Sequence, residues 1–185
     1  MTTTLGMKRM AWRSAGTLAL LLASVTGHAA AAEGQAAPGA VVQSDKVEVM
    51  YRDREALTEI KFNPSRQTGW MDSLGRYIVT RGDKSVPAGA KLLVTITDVQ
   101  LAGMYEPAHR RALEDVRIVR DTTPPRIDLS FQLVDAQGAV LKEGERKLRD
   151  IDFLHSSFRH RNEELRYEKN LIDDWMSKDF ASAKR

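Results

Sequence analysis

Apolar residues at alternate positions predict the strands of this chain. Val47, Val49 and Tyr51 occupy every second position, which is typical of a strand with one buried face. The segment from Lys91 to Leu101 is different, because it carries apolar residues on both of its sides. Such a strand is expected at the centre of a sheet that is covered on two faces.

A second alternating segment predicts a hairpin. Ile127 to Leu133 alternates apolar with polar residues, and the turn sequence Asp135 to Gly138 follows it. Ala139 to Leu148 is then the expected return strand. Its outer half is rich in Lys, Arg and Glu, which favours a position at the edge of the sheet.

Two stretches have the apolar periodicity of helices. The first runs from Trp70 to Arg81, with Ser65 as its expected N-cap and Gly82 as its expected end. In the second, Asn162 is the expected N-cap, and Glu163 and Glu164 then occupy the first turn, where the helix dipole favours acidic residues. The apolar stripes comprise Trp70, Leu74, Tyr77 and Ile78 in the first helix and Leu165, Leu171, Ile172, Trp175, Met176 and Phe180 in the second. Both tryptophans are therefore expected in the core.

The order of these elements predicts an α+β fold. We expect a small, mostly antiparallel sheet of about four strands with two helices packed on one face, in the order β-α-β-β-β-α. Val116 to Val119 adds a short extended piece before the Pro124-Pro125 pair. The expected organisation is a signal peptide at residues 1–32, a flexible leader at 33–45, one domain at 46–181 and a tail at 182–185.

The N-terminal segment has the three parts of a secretory signal peptide. Lys8, Arg9 and Arg13 precede an apolar stretch from Ala15 to Val25, and small residues follow up to Ala32. The apolar stretch is too short for the ~20 residues of a membrane-spanning helix. With no cysteine in the chain, a lipid anchor at the cleavage site is also excluded. We expect a periplasmic or secreted protein with no membrane anchor after cleavage.

Removal of this segment makes the chain electrically neutral. The full sequence has 28 basic and 25 acidic residues, a net charge of +3. The expected signal peptide contains three of the basic residues and no acidic one, so 25 of each sign remain. A nucleic-acid partner is disfavoured, because such proteins normally carry a basic excess.

Sequence motifs of catalysis and of cofactor binding are missing. There is no cysteine, no Gly-x-Ser-x-Gly motif and no glycine-rich phosphate loop. His155 and His160 are five positions apart, which does not suit a pair of metal ligands on a helix, and we interpret them as surface residues. The carboxylate pairs, such as Asp173-Asp174, are interpreted as solvated. No catalytic residue, metal ligand or cofactor is predicted.

The least ordinary segment is an arginine-rich loop around the proline pair. Arginine side chains on a stiff loop could bind a carboxylate or a phosphate. The candidate ligand-binding residues are Glu106, Arg117, Arg120, Asp121 and Arg126. The alternative, which we favour, is an internal salt-bridge lattice that ties the loop to the sheet, with Glu106, Glu145, Asp150 and Glu168 as available counter-charges.

Several strings of the chain resemble a known bacterial family. They are Thr97 to Gly103, Glu106-Pro107, Val116 to Leu129, Gly144-Glu145, Leu148 to Asp150, Leu165 to Lys169 and Asp173 to Trp175. The family consists of exported proteins and is called domain of unknown function 3016. The resemblance covers about Val47 to Phe180 and implies export and this domain, but no activity and no site residues.

The leading functional hypothesis is an exported envelope protein without enzymatic activity. It would be a binding or interaction module, and its partner would be an envelope protein or a small anionic ligand. The alternative is a hydrolase or transferase that acts on an anionic envelope substrate through the arginine-rich loop.

Overall fold

The main sheet has five strands among the residues that the structure describes, and two long helices lie on one of its faces. The computed structural model describes residues 42–63, 68–105, 116–156 and 159–180. All of them belong to one unit of the chain, residues 34–185. The strands are β1 (Val42–Gln43), β2 (Val47–Tyr51), β3 (Lys91–Gln100), β4 (Met104–Tyr105), β5 (Arg117–Ile118), β6 (Arg126–Val134) and β7 (Val140–Arg149). The helices are α1 (Thr58–Phe62), α2 (Gly69–Ser85), α3 (Phe153–Ser156) and α4 (Arg166–Phe180).

The predicted α+β class is confirmed, but the sheet is larger than expected and mixed. Its strand order is β1-β2-β3-β6-β7, and strands β4 and β5 form a separate antiparallel pair. Strands β2 and β3 are parallel, whereas the other neighbours are antiparallel. Helices α1 and α2 lie between β2 and β3 in the chain, and a crossover of this length is what a parallel pair requires.

The core lies between the sheet and the two long helices. Trp70 of α2 and Trp175 of α4 are 7% and 2% exposed, so both tryptophans are buried as predicted. The Trp175 ring packs against Phe131 of β6 with a centroid distance of 5.7 Å. Leu92 and Ile96 of β3 are fully buried on the same face. Burial of these side chains is the main source of the domain's stability.

The opposite face of the sheet is open, which corrects the prediction that β3 is covered on both sides. Leu93 and Thr95 are only half-buried. They share this face with polar side chains of the neighbouring strands, such as Gln132 and Glu143. Both long helices pack on the other face of the sheet. Among the described residues, no helix therefore covers the side of β3 that carries Leu93 and Thr95.

Both predicted helix boundaries were wrong. Helix α2 continues through Gly82 to Ser85, because Gly82 serves close packing rather than termination. A Cβ at Gly82 would lie 2.7 Å from Cγ2 of Val47. Helix α4 begins at Arg166 and not after Asn162, since Leu165 has a φ of 57°, which interrupts the helical backbone.

The predicted hairpin is confirmed, and β1 lies earlier than the predicted domain start. Gly138 has a φ of 87°, and Asp135 accepts hydrogen bonds from the backbone of Gln137 and Ala139. Strand β1 lies within residues 33–45, the segment that was expected to be a flexible leader. Its residue Val42 pairs with Val49 of β2. The prediction of Ser65, which lies outside the described residues, as the N-cap of α2 was also wrong, because the helix begins at Gly69 and its N-cap residue is Thr68.

Candidate functional site

A cleft of about 1090 Å³ opens beside the end of β3. Its walls are α1, the strand pair β4–β5, and the first turns of α2 and α4 with the residues that precede α4. Aromatic side chains, three arginines and four glutamates line it. They are Trp70, Tyr105, Tyr167, Arg117, Arg161, Arg166, Glu59, Glu163, Glu164 and Glu168. Among these residues, Arg117 was predicted from the sequence as a candidate ligand residue and Glu168 as a counter-charge.

Two buried glutamates bind consecutive backbone amides at the base of this cleft. The amide N–H of Leu101 donates to Oε2 of Glu59 over 3.0 Å. The amide N–H of Ala102 donates to Oε1 of Glu168 over 2.7 Å. Glu59 and Glu168 are 4% and 2% exposed. Helices α1 and α4 are thereby fixed to the same three-residue segment that follows β3.

Arg117 binds the carbonyl side of that segment. Its Nη1 donates to the carbonyl oxygen of Gly103 over 2.8 Å, with longer contacts to those of Leu101 and Ala102. Its Nη2 forms a salt bridge with Glu59, 58 residues earlier in the chain. The guanidinium also lies 4.8 Å from the ring centroid of Tyr105. Both terminal nitrogens of the guanidinium are thus bound by the chain, which supports the structural interpretation of this residue.

Gly103 allows the segment to adopt this shape. It has a φ of 77°, a conformation that favours glycine. A Cβ there would also lie 2.5 Å from the carbonyl oxygen of Ile118 on β5. The close contact holds the β4–β5 pair against the end of β3 and so fixes one wall of the cleft.

Glu168 has an altered acidity because of its position. Burial raises the pKa of its carboxyl group, although the hydrogen bond from Ala102 and the charge of Arg117 act in the opposite direction. Glu59 lies close enough to raise this pKa further. A buried carboxyl group with a raised pKa in a cleft is one recognised mark of a functional site, but it also occurs in structural networks.

Arg166 is the cationic side chain in the cleft that lacks an acidic partner among the described residues. Its Nη1 donates to the carbonyl oxygen of Arg161 over 3.3 Å, and its Nη2 donates to the Tyr167 hydroxyl. Its guanidinium lies 4.4 Å from the centroid of the Tyr167 ring. Glu163, by contrast, accepts from Lys169 at 2.9 Å, and hydrogen bonds from Lys169 and His160 lower its pKa.

Three of the other predicted ligand residues lie away from this cleft. Arg120 and Asp121 are exposed in the turn before β6 and do not line it. Arg126 lies on the open face of the sheet, where it donates to Gln100 and stands opposite Arg149. Glu106 lies outside the described residues. Of the predicted set, only Arg117 is found at the cleft among the described residues.

The expected cross-strand lattice exists in part. Asp128 and Arg126 share one face of β6, and Asp128 stands opposite Lys147. The salt bridge, however, runs from Arg149 to Asp128 over 2.6 Å. Arg126 has the amide of Gln100 in place of an acidic partner.

One histidine and one carboxylate were wrongly interpreted as solvated. Asp173 is 4% exposed and accepts the hydroxyl of Tyr77 over 2.7 Å. Arg81 and His160 also contact its carboxylate, at 2.6 and 3.0 Å. Burial raises the pKa of Tyr77, and the hydrogen bond to Asp173 raises it further, so this phenol remains a donor. This cluster joins α2 to α4 and to the turn that borders the cleft.

The prediction for His155 is confirmed. The side chain of His155 is 81% exposed and contacts only Asp152 among the described residues, as expected for a surface residue. His109 lies outside the described residues. No group of His, Asp or Glu side chains in the described parts of the chain is arranged to hold a metal ion.

The fold and the cleft define a class of molecule: an α+β domain with a mixed sheet, one helical layer and a polar cleft at the end of its central strand. A family model described as "Protein of unknown function (DUF3016)" matches residues 45–178. The chain belongs to this family. No curated protein and no solved structure matches it. Within the described ranges, no helix has both the length and the hydropathy needed to span a membrane.

Proposed function

We propose that this chain is an exported protein of the cell envelope that binds a small organic anion in the cleft beside β3, without transforming it. The observation that carries the proposal is the guanidinium of Arg166. It lines the cleft, and no carboxylate of the described residues lies within salt-bridge distance of it. A ligand carboxylate or phosphate would supply the acidic partner, and its two oxygens could accept two parallel hydrogen bonds from the guanidinium group of Arg166.

Two helices support an anionic ligand at this position. The first turns of α2 and α4 both border the cleft. Helix α2 has 17 residues, and its N-cap residue Thr68 makes no side-chain capping hydrogen bond. The amino ends of helices carry a partial positive charge, which favours anions. Glu164 at the rim is exposed and acidic, and its charge disfavours polyanions such as nucleic acids.

The rival function is a hydrolase or transferase, and Glu168 is the residue that would favour it. A buried carboxyl group with a raised pKa can act as a general acid. Its companion Glu59 is a poor base, since one oxygen is bound by Asn63 and Arg117 and the other by the amide of Leu101. Glu168 itself accepts the amide of Ala102. Both carboxylates are therefore better suited to positioning the chain than to acid–base chemistry.

Isothermal titration calorimetry tests the binding function. The full chain is titrated with phosphate, acetate, succinate and citrate, and the same titrations are made with Arg166→Gln. The control is Arg76→Gln, which removes an exposed guanidinium from α2 outside the cleft. We expect at least one anion to bind the parent and the control, and binding to Arg166→Gln to weaken about tenfold or more.

Two outcomes would contradict the proposal. One is that Arg166→Gln binds every anion as tightly as the parent does. The other is that no anion of the panel binds the parent. If a bound anion is instead chemically changed during the titration, and Glu168→Gln prevents the change, the rival enzymatic function is correct.

The export part of the proposal is tested by intact-mass measurement. The positive, apolar and small-residue regions of residues 1–32 favour cleavage by a signal peptidase. We expect a mature N-terminus between Ala30 and Glu33 in a fraction outside the cytoplasm. An exported species that retains Lys8 would contradict this expectation.

A further inference from the structure

Strand β7 presents an edge with a regular charge pattern. Among the described residues it pairs with β6 alone, so its other side has no strand partner. Alternate side chains lie on the open face of the sheet, and they are acidic in the first half of β7 and basic in the second. In chain order they are Glu143, Glu145, Lys147 and Arg149.

This pattern is complementary to itself when the strand is reversed. Antiparallel pairing of two copies of β7 around Arg146 places Glu143 opposite Arg149 of the other copy. The same register places Glu145 opposite Lys147. Each pair occurs twice because of the twofold symmetry, so all four contacts on this face join opposite charges. Cross-strand pairs of opposite charge stabilise antiparallel strands.

The neighbouring registers of the same face are less favourable than this one. A shift of two residues in one direction places Glu145 opposite Glu145. A shift in the other direction places Lys147 opposite Lys147. Like charges directly opposite each other destabilise a strand pair. Each shifted register also keeps only two opposite-charge contacts, between Glu143 and Lys147 or between Glu145 and Arg149, so the charge pattern favours the register around Arg146.

The residue on the twofold axis does not prevent this pairing. Arg146 points to the helical side of the sheet, where its Nε and Nη2 contact Asp179 at 2.8 and 2.9 Å. Its guanidinium also lies 5.0 Å from the ring centroid of Phe131. The two Arg146 charges are thus neutralised within their own copies.

Two exposed apolar residues agree with the same register. Leu141 is 57% exposed and Ile151, just beyond the end of β7, is 87% exposed. Pairing around Arg146 places Leu141 of one copy just beyond Arg149 of the other, next to the turn that contains Ile151. Burial of these two apolar side chains in the dimer would add to the stability of the paired strands.

We propose that the protein forms a symmetric dimer in which the β7 strands of two copies pair antiparallel around Arg146. The two five-stranded sheets then form one continuous sheet. The interface is isologous, as in most soluble dimers. This inference does not depend on the ligand of the cleft, which is lined by other residues.

Charge exchange across the proposed interface provides the test. Sedimentation velocity is measured over a range of concentrations for the full chain, for Glu145→Lys and for Lys147→Glu. Each substitution creates two like-charge contacts in a homodimer, and both side chains are exposed, so the fold is retained. We expect the dissociation constant of each variant to rise about tenfold or more. An equimolar mixture of the two variants restores both contacts, and we expect it to dimerise as the parent does.

The controls are Glu55→Lys and Lys84→Glu, which make the same charge changes at exposed residues outside β7. They should dimerise as the parent does, alone and when mixed. A parent that is monomeric at every concentration would overturn the proposal. So would variants that dimerise like the parent, or a mixture that remains monomeric although circular dichroism shows both variants to be folded.

Discussion

The two ends of helix α4 are fixed to the sheet side of the molecule by carboxylates in opposite environments. At the first turn, Glu168 is 2% exposed and accepts the amide N–H of Ala102. At the last turn, the side chain of Asp179 is 11% exposed and is bound by Lys142 and Arg146 of β7 at 2.8 Å each. The carboxylate of Glu168 accepts a hydrogen bond from a neutral backbone amide, whereas that of Asp179 is bound by two cationic side chains.

This difference moves the two acidities in opposite directions. Burial raises the pKa of Glu168 more than the amide of Ala102 lowers it. Burial also acts to raise the pKa of Asp179, but the hydrogen bonds from Arg146 and Lys142 outweigh it, and the pKa lies below its ordinary value. The helix dipole acts against both shifts, since it favours an anion at the first turn, where the pKa of Glu168 is raised, and disfavours one at the last turn, where the pKa of Asp179 is lowered. Cationic partners, more than position in the helix, decide the sign of the shift.

The largest effect is expected when the acceptor is removed at the buried end. Glu168→Ala leaves the Ala102 amide buried without an acceptor, which costs about 2 kcal/mol of unfolding free energy. Asp179→Ala removes a partly exposed ion-pair network, and we expect a loss of about 1 kcal/mol. Urea unfolding of both variants at neutral pH measures the two values. If Asp179→Ala loses more unfolding free energy than Glu168→Ala, the contact at the last turn of α4 stabilises the protein more than the contact at the first turn, contrary to this prediction.

The sequence predicted the parts of the fold that depend on local periodicity. The hairpin turn follows from Gly138, and the buried faces follow from the spacing of residues such as Trp70 and Trp175. The open sheet face and the parallel β2–β3 pair did not follow from it. Both depend on where the helices pack, and a strand such as β3 has the same local pattern whether one face or two are covered.

The polar contacts of the cleft could not be predicted from local sequence patterns. Arg117 was among the predicted residues and lies at the cleft, but its partner Glu59 is 58 residues away, in a helix that the periodicity did not indicate. Glu168 and Ala102 are 66 residues apart. Glu168 was named only as a possible counter-charge, and Asp173 as a solvated residue. A signal that could have identified both is their helical spacing from the apolar stripe, since Glu168 is three residues before Leu171 and Asp173 is three residues before Met176.

The opposite shifts predict opposite responses to pH. A raised folded-state pKa means that the stability contributed by Glu168 is fully present below its unfolded-state value, about 4.3, and is lost as the pH rises through the folded value. A lowered pKa means that the contribution of Asp179 is present above its unfolded-state value, about 3.9, and is lost as the pH falls through the folded value.

Two amide substitutions separate these contributions at moderate cost to the structure. Glu168→Gln keeps an oxygen that can accept the Ala102 amide and removes the titration. Relative to the parent, it should gain unfolding free energy as the pH rises from about 4 to about 7. Asp179→Asn loses its charge attraction to Lys142 and Arg146, so it should be less stable than the parent near pH 7, and this deficit should shrink as the pH falls below about 4. Urea unfolding of the parent and both variants at a series of pH values measures the differences. If the two difference curves have the same slope, the carboxylates are not held in opposite electrostatic environments, and the contrast between the ends of α4 rests on burial alone.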